Sequence, residues 1–149
     1  MHSGWSLWHW LRSPQALNVE LMSQAIKLNQ RAWQHARQLI AARKVVLDER
    51  EAWRRHRPSA HKQNAYITAH GIRSYGTWFL GIDSEAAEGT KARHKLSYGD
   101  FENVHRCAVL STELRAAQYK YGAVEIAAAN LHGMLEELMD WPRQKTAGM

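Results

Sequence analysis

Between Pro14 and Arg57 the chain carries neither a glycine nor a second proline. An unbroken helix over that stretch is about 66 Å long at about 1.5 Å per residue, roughly twice the width of a compact domain of this size. Ser13 suits the cap and Pro14 the first helical position. Val19, Ile26, Trp33, Ile40 and Leu47 recur at seven-residue spacing, flanked by Met22, Ala25, Ala32, Ala36, Leu39 and Val46. That pattern gives a broad apolar face rather than a narrow seam. Such a rod must break or project, and a projecting apolar face needs a second surface to cover it.

Past Val46 the same angular track turns basic, with Arg43, Arg50 and Arg57 keeping the spacing and Arg54 beside them. From Arg37 to Arg57 there are seven Lys or Arg and three acids, Asp48, Glu49 and Glu51. A phosphate track is one reading; a solvated helix end whose cations complement the macrodipole is the other. Ahead of the rod, Trp5, Trp8 and Trp10 are three of seven tryptophans, a large apolar load for a terminus. They are expected to dock on this chain's core or on a sister subunit.

Downstream, Pro58 ends the rod, and Ser59 caps a short helix reaching His70, with Gly71 terminating it. Thr77 to Ile82 reads as a strand, and Lys91 to Tyr98 as its hairpin partner. Asp100 is the expected cap of a helix from Phe101 to about Tyr121, closed by Gly122, with Val104, Cys107, Ala108, Leu114, Ala117 and Tyr121 buried. In the last helix Val124, Ala128, Leu131, Leu135 and Leu138 mark one face of an antiparallel pair before Pro142 stops it. The expected fold is mainly α: a long N-terminal helix, a short helix, a small β-hairpin and a C-terminal helix pair. Its units are a Trp-rich lead and long helix at 1–57, a compact domain at 58–141 and a tail at 142–149. Nine glycines and three prolines in 149 residues are too few for a sandwich of many short strands.

One cysteine, Cys107, excludes an intrachain disulfide. The absence of a secretory signal pattern or a long apolar run fits a cytoplasmic chain with no membrane span. Nine histidines raise a metal site, but their spacings do not support one. His56 and His61 straddle Pro58, and His70, His94 and His105 are each expected in structural or exposed roles. Cys107 becomes a nucleophile only if His94 or His105 approaches it; on a buried helical face it reads as an inert packing residue. Asp83 and Asp100 resemble paired carboxylates, yet capping or turn roles explain both. Gly71, Gly76, Gly81, Gly89 and Gly99 form no phosphate-cradling loop. No catalytic, cofactor or metal residue is assigned, no cofactor is expected, and enzymatic activity is disfavoured.

The stretches Tyr75-Gly76-Thr77-Trp78-Phe79-Leu80-Gly81-Ile82-Asp83, Thr90-Lys91-Ala92-Arg93 and Tyr98-Gly99-Asp100-Phe101-Glu102-Asn103-Val104-His105-Arg106 carry a family likeness, continued by Arg115-Ala116-Ala117-Gln118. Over roughly residues 75–138 the chain resembles a family of small, uncharacterised bacterial and phage-associated proteins. The resemblance implies a compact bacterial domain and transfers no functional residue.

Two functional readings follow. The first is a non-enzymatic helical protein that forms a homo-oligomer or docks on a protein partner, its interface built from Trp5, Trp8, Trp10, Val19, Ile26, Trp33, Ile40 and Leu47. The alternative is a nucleic-acid-binding protein, suggested by a net charge of +6. Its contacts are Arg43, Arg50, Arg54 and Arg57 on the basic helix end, with Lys91, Arg93, Lys95 and Arg106 in the aromatic and basic hairpin region.

Overall fold

A computed structural model describes residues 25–147, with side chains as far as residue 140. Within it Asn29 interrupts the long apolar run. Its side-chain oxygen accepts from the Ala32 N–H at 3.3 Å, and its amide donates to the Gly76 and Phe79 carbonyls at 3.0 and 3.1 Å. Asn29 therefore caps a new helix and ties its start to a distant segment. Before it lies strand β1 (Ile26–Leu28), and after it helix α1 (Gln30–Ala41). Arg43, left-handed at φ 60°, ends α1. Its N–H donates to the Ile40 carbonyl at 3.0 Å and that of Lys44 to Leu39 at 2.9 Å, the paired bonds a glycine usually provides at a helix end. Strand β2 (Val45–Val46), a 3-10 turn (Arg50–Ala52) and helix α2 (Trp53–His56) complete the segment.

Residues 26–57 are thus short pieces and not the expected rod. The breaks are made by a polar cap and a left-handed arginine, neither of which leaves a glycine or proline in the sequence. Of the seven-residue positions, Ile40 is buried, Ile26 and Trp33 are half-buried against the core, and Leu47 is exposed at 42%. Ala32, Ala36 and Ile40 form the inward face of α1. Trp5, Trp8, Trp10 and Val19 lie outside the described residues.

Helix α3 (Ala60–His70) starts at the expected Ser59, whose hydroxyl accepts from the Lys62 N–H at 3.1 Å, and ends at Gly71 with φ 87°. Helix α4 (Ile72–Gly76) follows. Strand β3 (Phe79–Asp83) pairs antiparallel with β4 (His94–Ser97), in the expected hairpin region; a 3-10 turn (Lys91–Arg93) leads into β4. The other edge of β3 is covered by β1, with Leu28 opposite Gly81, so the sheet runs β1-β3-β4.

Phe101 does not begin a helix. Asp100 instead makes a turn: its Oδ1 accepts from the N–H groups of Glu102 and Asn103 at 3.0 and 2.7 Å, and Phe101 is left-handed at φ 73°. The chain then enters strand β5 (Val104–His105), parallel to β2, and only at Arg106 helix α5 (Arg106–Gln118). Left-handed Lys120, rather than Gly122, closes α5: its N–H donates to Ala117 and that of Tyr121 to Ala116. Gly122 instead begins α6 (Gly122–Ala147), which continues past Pro142. A proline forfeits one intrahelical bond without ending a helix in every setting. Leu114, expected inside, is 54% exposed, and Ala117 is exposed too.

Helices α5 and α6 pack along each other, and α1 crosses α6, where the Trp33 indole donates to Asn130 Oδ1 at 3.1 Å. Tyr98, Leu80, Val109, Leu131 and Leu135 belong to one buried core cluster with residues of these helices and the sheet. The described residues are therefore mostly helical with a small sheet. None of their helices is long and apolar enough to cross a membrane.

Candidate functional site

The parallel β2–β5 pair brings the loop after β2 against the start of α5. Asp48 leaves that loop, and its carboxylate becomes the centre of a polar cluster. Oδ1 accepts the Cys107 backbone N–H at 2.7 Å. Oδ2 is approached by three donors: His56 Nδ1 at 2.7 Å, His105 Nδ1 at 2.7 Å and Cys107 Sγ at 2.9 Å. A carboxylate oxygen has two lone pairs, so three donors crowd it. On its far side His105 Nε2 donates to Asp100 Oδ2 at 2.8 Å, which the turn at Asp100 positions. Rings enclose the group, with Trp53 at 5.7 Å and His56 at 5.4 Å from the His105 ring. His105 and Cys107 are buried, whereas His56 sits at the exposed rim.

Burial works to raise the Asp48 pKa, but the bonds from Cys107, His105 and His56 outweigh it and hold the carboxyl well below its usual range. Asp100 is likewise lowered: burial opposes ionisation, and the Asn103 N–H, His105 and the Glu102 N–H overcome it. His105 thus meets a carboxylate oxygen at each ring nitrogen, Asp48 at 2.7 Å and Asp100 at 2.8 Å. Burial pushes the Cys107 thiol up, and its bond to the Asp48 carboxylate adds to that. The thiol is therefore no nucleophile as it stands.

Asp48, His56, His105 and Cys107 also present one oxygen, two nitrogens and one sulfur within 4.8 Å of one another. Donors about 2.0–2.3 Å from a tetrahedral ion lie about 3.3–3.8 Å apart, a spacing between the 2.7–2.9 Å contacts to Oδ2 and the 4.8 Å outer limit of the set. Sequence spacing showed none of this, because the members come from separate segments: Asp48 and His105 are 57 residues apart. In the sequence His56 invites comparison with His61, and His105 with His70, His94 and Cys107, while Asp48 counts only as one of three acids in a basic stretch. His70 and His94 do not join them. His70 lies against Tyr66 at 4.5 Å, and His94 stands beside Tyr75 at 5.6 Å, its pKa lowered by burial and by Arg93. Asp83, far from pairing with Asp100, accepts the Glu85 N–H in a turn at 3.0 Å.

Next to the cluster, and sharing Trp53 with it, lies a cleft of about 360 Å³. Arg57, Lys91, Lys95 and Arg115 line it together with Trp53, Tyr75, Phe79 and Phe101, and no Asp or Glu does. Two non-glycine residues with positive φ, Leu96 at 65° and Phe101 at 73°, lie in its wall. Among the candidate nucleic-acid contacts the cleft unites Arg57, Lys91 and Lys95, from both basic regions of the sequence. Arg43, Arg50 and Arg54 are exposed elsewhere. Arg106 is engaged internally, bonding Glu136 at 2.8 Å and the Asp48 carbonyl at 3.2 Å, and Arg93 donates to the Ala86 carbonyl at 2.9 Å. Arg115 was missed as a contact, because α5 offers a single cation there and only the fold sets it opposite β4. Comparisons with protein-family models, with curated proteins and with solved structures found no match.

Proposed function

We propose that this chain binds single-stranded nucleic acid in the cleft between α2, β4 and α5. One observation carries the reading: four cations from distant parts of the chain line one recess beside aromatic rings, with no carboxylate among the lining residues. Cations track phosphates without regard to sequence, and ring faces stack unpaired bases. A recess of about 360 Å³ is at the small end of ligand pockets, suited to a splayed base and its phosphates rather than to a duplex. The assembly reading drew on a long first helix and its Trp-rich lead; over residues 26–57 the chain is divided into short elements, and the lead lies outside the described residues.

The test is fluorescence anisotropy of a labelled single-stranded oligonucleotide against salt. Each phosphate neutralised contributes about −0.7 to the slope of log affinity against log salt, so four cations set a limit of about −3. Reversing Lys91 and Lys95 to Glu is expected to weaken binding more than tenfold, and reversing Arg50 and Arg54, outside the cleft, much less. No binding at low salt, equal losses from the two double variants, or full competition by duplex would each refute the reading.

A further inference from the structure

We infer that Asp48, His56, His105 and Cys107 form a zinc site, a function separate from the cleft. The donors come from three places: the loop after β2 and the β5–α5 junction, which the β2–β5 pairing sets side by side, and the end of α2. Ordinary packing explains a buried cysteine or a buried histidine paired with a carboxylate. It does not explain three donors aimed at one oxygen, one of them on the exposed His56. A cation placed among the four atoms resolves the crowding, since each side chain then offers it a lone pair instead of a proton.

The surroundings match what a bound ion needs. His105 has its second nitrogen on the Asp100 carboxylate at 2.8 Å, the arrangement that fixes the ring and raises the basicity of a ligating imidazole. The Cys107 N–H holds the other oxygen of Asp48 at 2.7 Å, which leaves Oδ2 as the ligand. His56 at the rim gives the ion a way in. Thiolate and two imidazoles select against magnesium and calcium, which take oxygen shells, and a set of four favours tetrahedral zinc. The present contacts of 2.7–2.9 Å to Oδ2 are hydrogen bonds. Loading the ion spreads them by less than about 1 Å to the edges of a tetrahedron. Zinc takes the place of the protons that face Oδ2, those of the thiol and of each Nδ1, which pass to solvent as the zinc–sulfur and zinc–nitrogen bonds form, His56 then carrying its ring proton on Nε2. Each histidine presents its Nδ1 lone pair, His105 keeping the Nε2 proton on Asp100. No oxidant or reductant takes part.

The experiment uses the full chain, stripped with a chelator and titrated with Zn²⁺ against a chromophoric competitor, then with Co²⁺ as a spectroscopic stand-in. One Zn²⁺ per chain is expected, and with Co²⁺ a tetrahedral ligand-field spectrum and a thiolate-to-cobalt charge-transfer band. Cys107 is the only cysteine, so that band in the unmodified protein identifies the sulfur even if Cys107→Ser fails to fold. His56→Ala, at the exposed rim, is expected to lower affinity at least tenfold with its far-ultraviolet circular dichroism unchanged. Asp100→Asn should lower it about 10–100-fold. His61→Ala, an exposed control nearby, should change nothing. The absence of one-to-one binding, a cobalt complex without the sulfur band, or equal affinity in wild type and His56→Ala would overturn the assignment.

Discussion

Removing the Asp48 carboxylate tests the cluster as a structural device, independently of any ion. In Asp48→Ala, with chelator present, the buried His105 loses one of its two anionic partners, and the Cys107 N–H at the start of α5 loses its acceptor. Deleting one member of a buried charged pair costs about 3–5 kcal/mol, a large share of the roughly 5–15 kcal/mol by which domains are stable. With a guanidinium slope of about 4 kcal/mol per M, the unfolding midpoint should fall by about 1 M. Asp48→Asn should cost less, about 1–2 kcal/mol, because its oxygen still takes the Cys107 N–H and a histidine can turn an acceptor nitrogen to its amide. Tryptophan fluorescence against guanidinium reads both. The acid limb gives a second check with a definite sign. Asp48 and Asp100 ionise more readily folded than unfolded, so the unfolded chain binds more protons as pH falls. Their contribution is complete above about pH 4, the ordinary carboxylate range, and is lost as pH drops below it. Asp48→Ala should show a shallower loss. A cost below about 1 kcal/mol for the alanine variant, with the acid limb unchanged, would refute the reasoning.

Other expectations are simpler to check. Asn29→Ala removes a cap worth about 1 kcal/mol and strips the Gly76 and Phe79 carbonyls of a donor at about 1 kcal/mol each, so thermal denaturation should show a loss of about 2–3 kcal/mol. Gly99→Ala drives a methyl into the Asn103 carbonyl and the Trp78 ring, and chemical unfolding should register about 1–3 kcal/mol of overpacking. Cys107, buried and with its thiol pKa raised, should resist iodoacetamide in the native protein and react promptly in denaturant; rapid native labelling would contradict its placement.

Where an element's signal is local, the sequence displays it. Ser59 and Gly71 bracket α3 as expected, and glycine-bounded aromatic residues mark β3. The misreadings share one origin, which is tertiary contact overriding a local rule. Arg43 and Lys120 take the left-handed role that glycine signals elsewhere, so neither turn is visible in the composition. Asp100 looks like a helix cap in isolation, but pairing of Val104 and His105 with β2 keeps those residues extended and delays the helix to Arg106. The apolar repeat from Ile26 to Leu47 is real. It is shared among a strand, a helix and a loop, because Ile26 pairs with Asp83 across a sheet whose partner strand no periodicity announces. The polar cluster was hidden for the same reason: its members have neighbours in space that are strangers in sequence.

The two-residue ladder between β2 and β5 is small, yet it closes the loop that runs from residue 45 to residue 104. Val45 must wait for Val104. Loop closure over so many residues is entropically slow, while hairpins and neighbouring helices form early. The elements α3, α4 and the β3–β4 hairpin join neighbours in sequence and need no such closure. The cluster around Asp48 ties together residues 48, 56, 105 and 107, so it exists only while that loop is closed.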